Sequence, residues 1–352
     1  MTTPRKLRTL RAAVLLLVGG FVCSSLSACS FTPTRYEATF DGLFDTYADV
    51  TVYADSRSSA DKAIEFLHAE LKTYDRQFDI YNNYPNSGAN NLKTINDNAG
   101  IQPVEVSPTI IELLTFCKDM YTATNGAANA AMGSVLSLWH TAREYSSANS
   151  DNAYVPTTAE LEAAAKLTDW DDIAIDSKSN TVFITKAGMS LDVGAIAKGW
   201  AAGRAVQNLK AADISGFHSL LLSFGGNVVP CGLPPNRESW VVGIQDPVVG
   251  IDEATRGIIE TVSITNEAVV SSGDYQRYYT VDNTRYNHII DPDTLFPATR
   301  YAQVTVLHPD SGVADALSTA LFILDEENGK VLIDKFGAKA WYVYHSGEIV
   351  NV

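Results

Sequence analysis

Asp192, Lys198, His288, Asp315 and Thr319 are of types and at spacings suited to chemistry on a phosphate-bearing ligand. The run Ser190-Leu-Asp-Val-Gly-Ala-Ile-Ala-Lys-Gly199 packs an acid, two glycines and a lysine into a strand-to-helix junction. Backbone N–H groups at such a junction can bind phosphate. A tight turn in which Asp192 caps the following helix accounts for the same residues. In Ala314-Asp-Ala-Leu-Ser-Thr-Ala320, Asp315 and Thr319 stand four apart on one helical face. Two oxygens so placed in a helix's first turn can serve a hard cation such as Mg2+. Alternatively, Asp315 caps its helix and Thr319 bonds back to its own backbone. His288, before Ile289-Ile290-Asp291-Pro292, reads as a general base, a phosphate donor or a hydrogen-bonded structural residue. Ser223-Phe-Gly-Gly-Asn227 sets a glycine pair where backbone can approach a ligand or simply turn.

These residues need a frame of strands and helices, and the hydrophobic periodicity supplies one. Strands are expected over residues 48–54, 181–185, 219–224, 240–244, 258–264, 301–307 and 340–344. Helical spacing covers residues 58–74, capped by Ser58 or Ser59, and residues 109–124, ended by Asn125-Gly126. It recurs over residues 158–166, 200–211, 314–324 and 328–336. Strands adjacent to strands, alongside strand-helix alternation, predict an α+β fold. The polar stretch from Ser146 to Pro156 is expected to divide two lobes.

The first residues concern the compartment. Arg5, Lys6, Arg8 and Arg11 precede an apolar run from Ala12 to Val22 that is short for a membrane span. Leu26-Ser27-Ala28-Cys29 then resembles the lipobox of bacterial lipoproteins, in which the cysteine is acylated and becomes the first mature residue. The expectation is a signal peptide over residues 1–28, a lipid-anchored tether over 29–35 with Cys29 as the lipidation site, and a globular domain over 36–352. This places the protein on the extracytoplasmic face of the cell membrane. Cys117 and Cys231 are then the remaining cysteines, too few for a disulfide-built scaffold.

The formal charge is −15, and loss of the four leader cations takes the mature chain to about −19. Nucleic acid is excluded as a partner, and the membrane is reached through the anchor alone. An anionic ligand therefore needs local help from a metal, a helix N-terminus or placed cations.

The order of the motifs resembles the ApbE family of FAD:protein FMN transferases. The likeness rests on Phe44-Asp-Thr46, the 190–199 run, Phe224-Gly-Gly-Asn227, Ser271-Ser-Gly-Asp-Tyr-Gln-Arg-Tyr278, His288-Ile-Ile-Asp-Pro292 and the 314–320 segment. The resemblance implies mixed sheets flanked by helices in a T-fold-like architecture, with the ligand site between two lobes. It implies transfer of FMN from FAD to a threonine or serine hydroxyl of an extracytoplasmic redox protein, with release of AMP. Alternatives on the same residues are a Mg2+-dependent FAD pyrophosphatase and a non-catalytic FAD-binding lipoprotein.

Residue by residue, the resemblance assigns Mg2+ to the Ala195 backbone oxygen, Asp315 and Thr319, with Ser318 as a further candidate. FAD contacts fall on Asp192 and Lys198, on Ala127, Ala128 and Asn129, on Ile290 and on Phe44. Catalytic roles fall on His288 and Asp192. The chain departs from the family pattern at Gly203, where many relatives carry an acid, and at Asn129-Ala-Ala-Met132, with Asn for an acid and Ala for a threonine.

Overall fold

Ala48, Val50, Val52 and Ala54 alternate with more exposed residues, so β2 (Thr46–Ala54) has one apolar face to bury. It pairs on one side with β1 (Thr34–Leu43) and on the other with β6 (Phe217–Phe224), whose Leu220, Leu222 and Phe224 point the same way. The sheet continues through β7 (Asn227–Cys231), β10 (Ala268–Gly273), β13 (Gln303–His308), β14 (Lys339–Val343) and β15 (Ile349–Asn351). The order is β1-β2-β6-β7-β10-β13-β14-β15, eight strands in all and antiparallel at every pairing. The computed structural model describes residues 32–84, 89–247 and 257–352. The leader, Cys29 and the two residues after it lie outside the described residues.

Helix α1 (Arg57–Phe78) buries Ala60, Ala63, Leu67, Leu71, Tyr74 and Phe78, the stripe that a 3.6-residue period requires. Its cap is Ser56, which accepts the N–H of Ser59, rather than Ser58 or Ser59 themselves. Next come α2 (Leu92–Asp97), β3 (Val104–Glu105), α3 (Pro108–Ala123), α4 (Gly133–Ala148) and α5 (Thr158–Ala165). The strands β4 (Ile173–Asp176) and β5 (Thr181–Ile184) join β3 in a three-stranded sheet. Asn125 and Gly126, both at positive φ, end α3 as the sequence predicts.

Helices α6 (Ala197–Ala211) and α7 (Ser311–Ile323) pack against each other beneath the long sheet. Gly199 makes this possible, because a Cβ there would lie 2.3 Å from the Ser311 carbonyl oxygen and 2.5 Å from Asp315 Cβ. The helix α8 (Glu326–Phe336) follows α7, and two antiparallel ribbons complete the fold: β8 (Trp240–Gln245) with β9 (Ile258–Ile264), and β11 (Tyr278–Val281) with β12 (Thr284–Asn287).

Two capping expectations change. Helix α7 starts at Ser311 and is capped by Asp310, whose Oδ1 accepts the N–H groups of Gly312 and Val313 at 2.8 and 3.1 Å. Asp315 is thus a second-turn residue with its carboxylate unspent on a cap. Helix α6 begins at Ala197, after Ile196, with no side-chain cap. Asp192 instead accepts the N–H of Gly194 at 2.9 Å within the preceding turn. Cys117 and Cys231 are both buried free thiols. Residues 33–352 form one compact unit; Ser146–Ala148 are the last turn of α4, and the rest of the stretch to Pro156 connects α4 to α5 within that unit.

Candidate active site

A cavity of about 780 Å3 opens between the main core and a smaller apolar cluster built on Trp139, Met132 and Ile290. That volume is in the range of small-molecule sites. One wall is the tip of the β1–β2 hairpin, where Phe44 and Asp45 both adopt left-handed backbone, φ 51° and 53°. Side chains rarely accept that conformation unless the surroundings enforce it. Here Asp75 Oδ1 accepts the Phe44 N–H at 2.8 Å, and the Arg277 guanidinium donates to the carbonyls of Asp45 and Phe44 at 3.1 and 3.5 Å. The Phe44 ring then meets Phe224 edge-on, 5.5 Å between centroids, and lines the cavity.

The floor joins two segments that are remote in sequence. Asp192 N–H donates to Ala130 O at 2.8 Å and Gly133 N–H to Ser190 O at 3.0 Å. The Asn96 amide grips Leu191 on both backbone groups, at 2.8 and 2.9 Å. Ala127, Asn129, Asp192, Ala195 and Lys198 consequently line one surface. Ala128 does not reach it: it is fully buried behind the wall, with its N–H bonded to Thr124 Oγ1. The Asn129 side chain is also committed to the fold, since its Oδ1 accepts from Ala131 N–H and Trp170 Nε1 at 2.9 and 3.0 Å. Asn129 therefore meets the cavity with little side-chain hydrogen-bonding capacity to spare.

Asp315 and Thr319 line the same cavity from α7. Asp315 is 4% exposed, and its Oδ2 accepts the Gly199 N–H at 2.7 Å. Burial pushes its carboxyl above the usual carboxylate range, against the charge of Lys198, the Gly199 N–H and the Asn227 amide. A desolvated carboxylate, a threonine hydroxyl and the Ala195 carbonyl offer oxygen donors only, the set a hard cation such as Mg2+ takes. The residues present fit that ion. Ser318 is not brought to the cavity. Its Oγ lies 2.7 Å from Ser272 Oγ and donates to Asp315 O at 2.9 Å, which ties α7 to β10. Ser318→Ala should accordingly lower stability by about 1 kcal/mol, the worth of a typical hydrogen bond. Mg2+ affinity should stay within about threefold. Thermal melting and a Mg2+ titration check the two effects separately, and a large loss of affinity would make Ser318 a ligand after all.

His288 faces the cavity, open on that side and crowded by the walls on the others. Desolvation by those walls, then the positive charges of Lys198, Arg277 and Arg143, push its proton affinity down from 6.5 to about 3. The imidazole is neutral at pH 7 and free to accept a proton. The folded state binds this proton less readily than the unfolded chain, so the associated stability is present above 6.5 and is lost as pH falls towards 3. By NMR, the imidazole signal that disappears in His288→Ala should titrate below about pH 5 in the free protein. A midpoint at 6.5 or above would contradict the crowding.

Asp192 is likewise pushed above the usual carboxylate range by burial, opposed by the Gly194 N–H and by His140, Lys198 and Arg277. Ile290, 5% exposed, belongs to the apolar end of the cavity, where Trp139 and Tyr286 stack at 5.8 Å.

Several lining residues were not anticipated. Trp139, His140 and Arg143 come from α4, an element the sequence reading leaves unassigned, although Leu136, Trp139, His140 and Arg143 repeat at helical spacing. Tyr81 stands at the mouth with its ring 4.9 Å from that of His140. Arg277 lies within a motif that the sequence reading quotes without assigning the arginine a role. Beyond the mouth, a more open cleft of about 590 Å3 shares Tyr81, His140, Arg143 and Arg277 and continues past Tyr278.

Fold and site together define an α+β protein that gathers phosphate-compatible cations, an oxygen-donor corner and a neutral imidazole around one cavity. The chain belongs to the ApbE family, whose sequence model matches residues 44–342. The FAD:protein FMN transferase of Treponema pallidum (strain Nichols) is 35% identical over 268 residues, spanning 72% of this chain and 70% of that protein. One of Klebsiella pneumoniae (strain 342) is 31% identical over 245 residues, spanning 69% and 71%. The crystal structure of the ApbE protein from Thermotoga maritima superposes with a TM-score of 0.76 at 29% identity, over 90% of this chain and 96% of that one. The apo flavinyl transferase ApbE of Pseudomonas stutzeri shares the fold, with a TM-score of 0.73 at 24% identity over 92% and 95%.

Proposed function

We propose that this protein transfers FMN from FAD to a serine or threonine hydroxyl of a target protein and releases AMP. One observation carries the reading: Lys198, His288, Asp315 and Thr319, far apart in sequence, line a single cavity. The names of the relatives support FAD as donor and a protein as acceptor. Mg2+, held by Asp315, Thr319 and the Ala195 carbonyl, would offset pyrophosphate charge and draw electrons from phosphorus.

The chain's own residues supply the rest. Lys198, beside the start of α6, places a fixed positive charge at the phosphates, which the acidic surface otherwise repels. The apolar end formed by Trp139, Tyr286 and Ile290 suits a planar ring. His288 takes the proton of the acceptor hydroxyl as its oxygen bonds to the FMN phosphorus. The bond from that phosphorus to the bridging oxygen breaks, and AMP leaves with the oxygen. We read the protein as anchored through Cys29 on the extracytoplasmic face, which the order of basic, apolar and small-plus-cysteine segments supports.

The test follows nucleotides released from FAD in the presence of Mg2+, with and without an acceptor domain. AMP that matches modified acceptor one for one supports transfer. Free FMN together with AMP would mean a pyrophosphatase, and intact FAD throughout would mean a binding protein.

A further inference from the structure

We propose that Asp79 is a positioning residue for the mouth of the cavity: it fixes Tyr81 where a planar ring of the substrate stacks. The assignment rests on the FAD reading above. Asp79 is the residue at which the chain leaves α1, with extended backbone, φ −66° and ψ 125°. Its carboxylate therefore turns over the segment that follows. Oδ1 accepts the N–H of Tyr81 at 2.6 Å and of Asn82 at 2.9 Å, while Oδ2 accepts Nδ2 of Asn82 at 3.1 Å and the hydroxyl of Tyr84 at 2.6 Å.

Four donors from three residues converge on one side chain, which fixes the backbone on both sides of Tyr81. The Tyr81 ring is 51% exposed. It is held from the side as well, over His140 and with its hydroxyl 3.5 Å from His140 Nδ1, a nitrogen that Arg143 also approaches at 3.1 Å. Surface aromatic side chains on loops are ordinarily mobile. This one is braced from two directions at the mouth of the site.

The chemistry of the cavity points the same way. Asp79 lines the cavity close to Asp45 and Asp75, yet its oxygens are turned to the loop, each accepting two of the four donors. The carboxylate keeps its charge, so its part is to hold the loop and not to bind an anionic ligand. Burial alone would raise its carboxyl, yet the Tyr84 hydroxyl, the Asn82 and Tyr81 N–H groups and the Asn82 amide hold it below the usual range.

The experiment uses the full chain with FAD and no acceptor, reading affinity from the quenching of flavin fluorescence. Asp79→Ala should weaken FAD binding about tenfold, the scale of one aromatic stack. Asp79→Asn, which keeps an oxygen for the two backbone N–H groups, should cost less than about threefold, and serves as well if the alanine variant folds poorly. At saturating FAD, turnover with acceptor should stay within about threefold in both variants. In a Tyr81→Ala background, Asp79→Ala should weaken binding no further, since a residue acting through Tyr81 has nothing left to position. A role in stability alone predicts a lower melting temperature with unchanged affinity, and that result would overturn the proposal. Additive losses in the double variant would also overturn it. A wild-type chain that does not bind FAD would overturn the reading on which the proposal rests.

Discussion

Asp315→Ala should lower Mg2+-dependent FMN transfer by at least about 10³-fold while the chain remains folded. The size follows from what the carboxylate does. Loss of several kcal/mol of charge stabilisation at a reacting phosphorus corresponds to three or more decades in rate, at about 1.4 kcal/mol per decade. Asp315 is the carboxylate of the oxygen-donor corner, since Thr319 and the Ala195 carbonyl bring no charge. The fold should tolerate the change because two costs offset. The substitution leaves the Gly199 N–H without its acceptor, worth about 1–3 kcal/mol, and removes a buried anion that was itself costly to desolvate. A melting curve within a few degrees of wild type, together with lost turnover across a Mg2+ titration, is the expected pair. Full activity in the variant would remove Asp315 from the metal site.

His288→Ala should reduce transfer by about 10²- to 10⁴-fold, the range for losing a positioned general base, with FAD affinity within a few fold of wild type. A serine or threonine hydroxyl is a poor nucleophile at neutral pH and needs its proton taken as it attacks. The walls and the three nearby cations keep His288 neutral at pH 7, so it can accept that proton; the same cations weaken it as a base, and the negative charge of a bound pyrophosphate would offset them. Arg277→Gln should move the His288 titration upward, since it removes one of the repelling charges. Arg277 also donates to the Phe44 and Asp45 carbonyls, so that variant should weaken FAD binding in addition. A His288→Ala enzyme with normal kcat would assign proton transfer elsewhere, and one that no longer binds FAD would make His288 a binding residue.

Elements with a strong period were legible in the sequence: β2, β6 and α1 have clean apolar stripes, and Asn125-Gly126 ends α3 where expected. Helix starts were less so, because more than one Ser or Asp near each end can cap. Ser56 and Asp310 won over Ser58 and Asp315, and a start one turn earlier leaves Asp315 inside the helix, its carboxylate turned to Gly199 and the cavity. Helix α4 was missed because its apolar residues, Val135, Leu136, Leu138, Trp139 and Ala142, all in the smaller cluster, are interleaved with Ser, His, Thr and Arg, which blurs the stripe.

The turn at 190–199 and the 314–320 helix were readable as chemistry because their residue types are unusual together. Ser318 and Ala128 were misplaced because one residue along a helix or loop changes the face, and spacing alone did not show that their polar groups were already engaged. Tyr81 and Asp79 were invisible for another reason. Their role depends on a loop geometry set by four hydrogen bonds, and no sequence period encodes it.

The central claim is tested most directly by incubating the full chain with FAD, Mg2+ and an acceptor domain bearing a Ser/Thr-Gly-Ala-Thr segment, then reading flavin fluorescence on a denaturing gel. The account predicts a fluorescent acceptor band that EDTA abolishes, that is absent with the His288→Ala and Asp315→Ala variants, and that maps by peptide mass to the hydroxyl residue. An unlabelled acceptor beside intact FAD, with the wild-type chain and Mg2+ present, would contradict it.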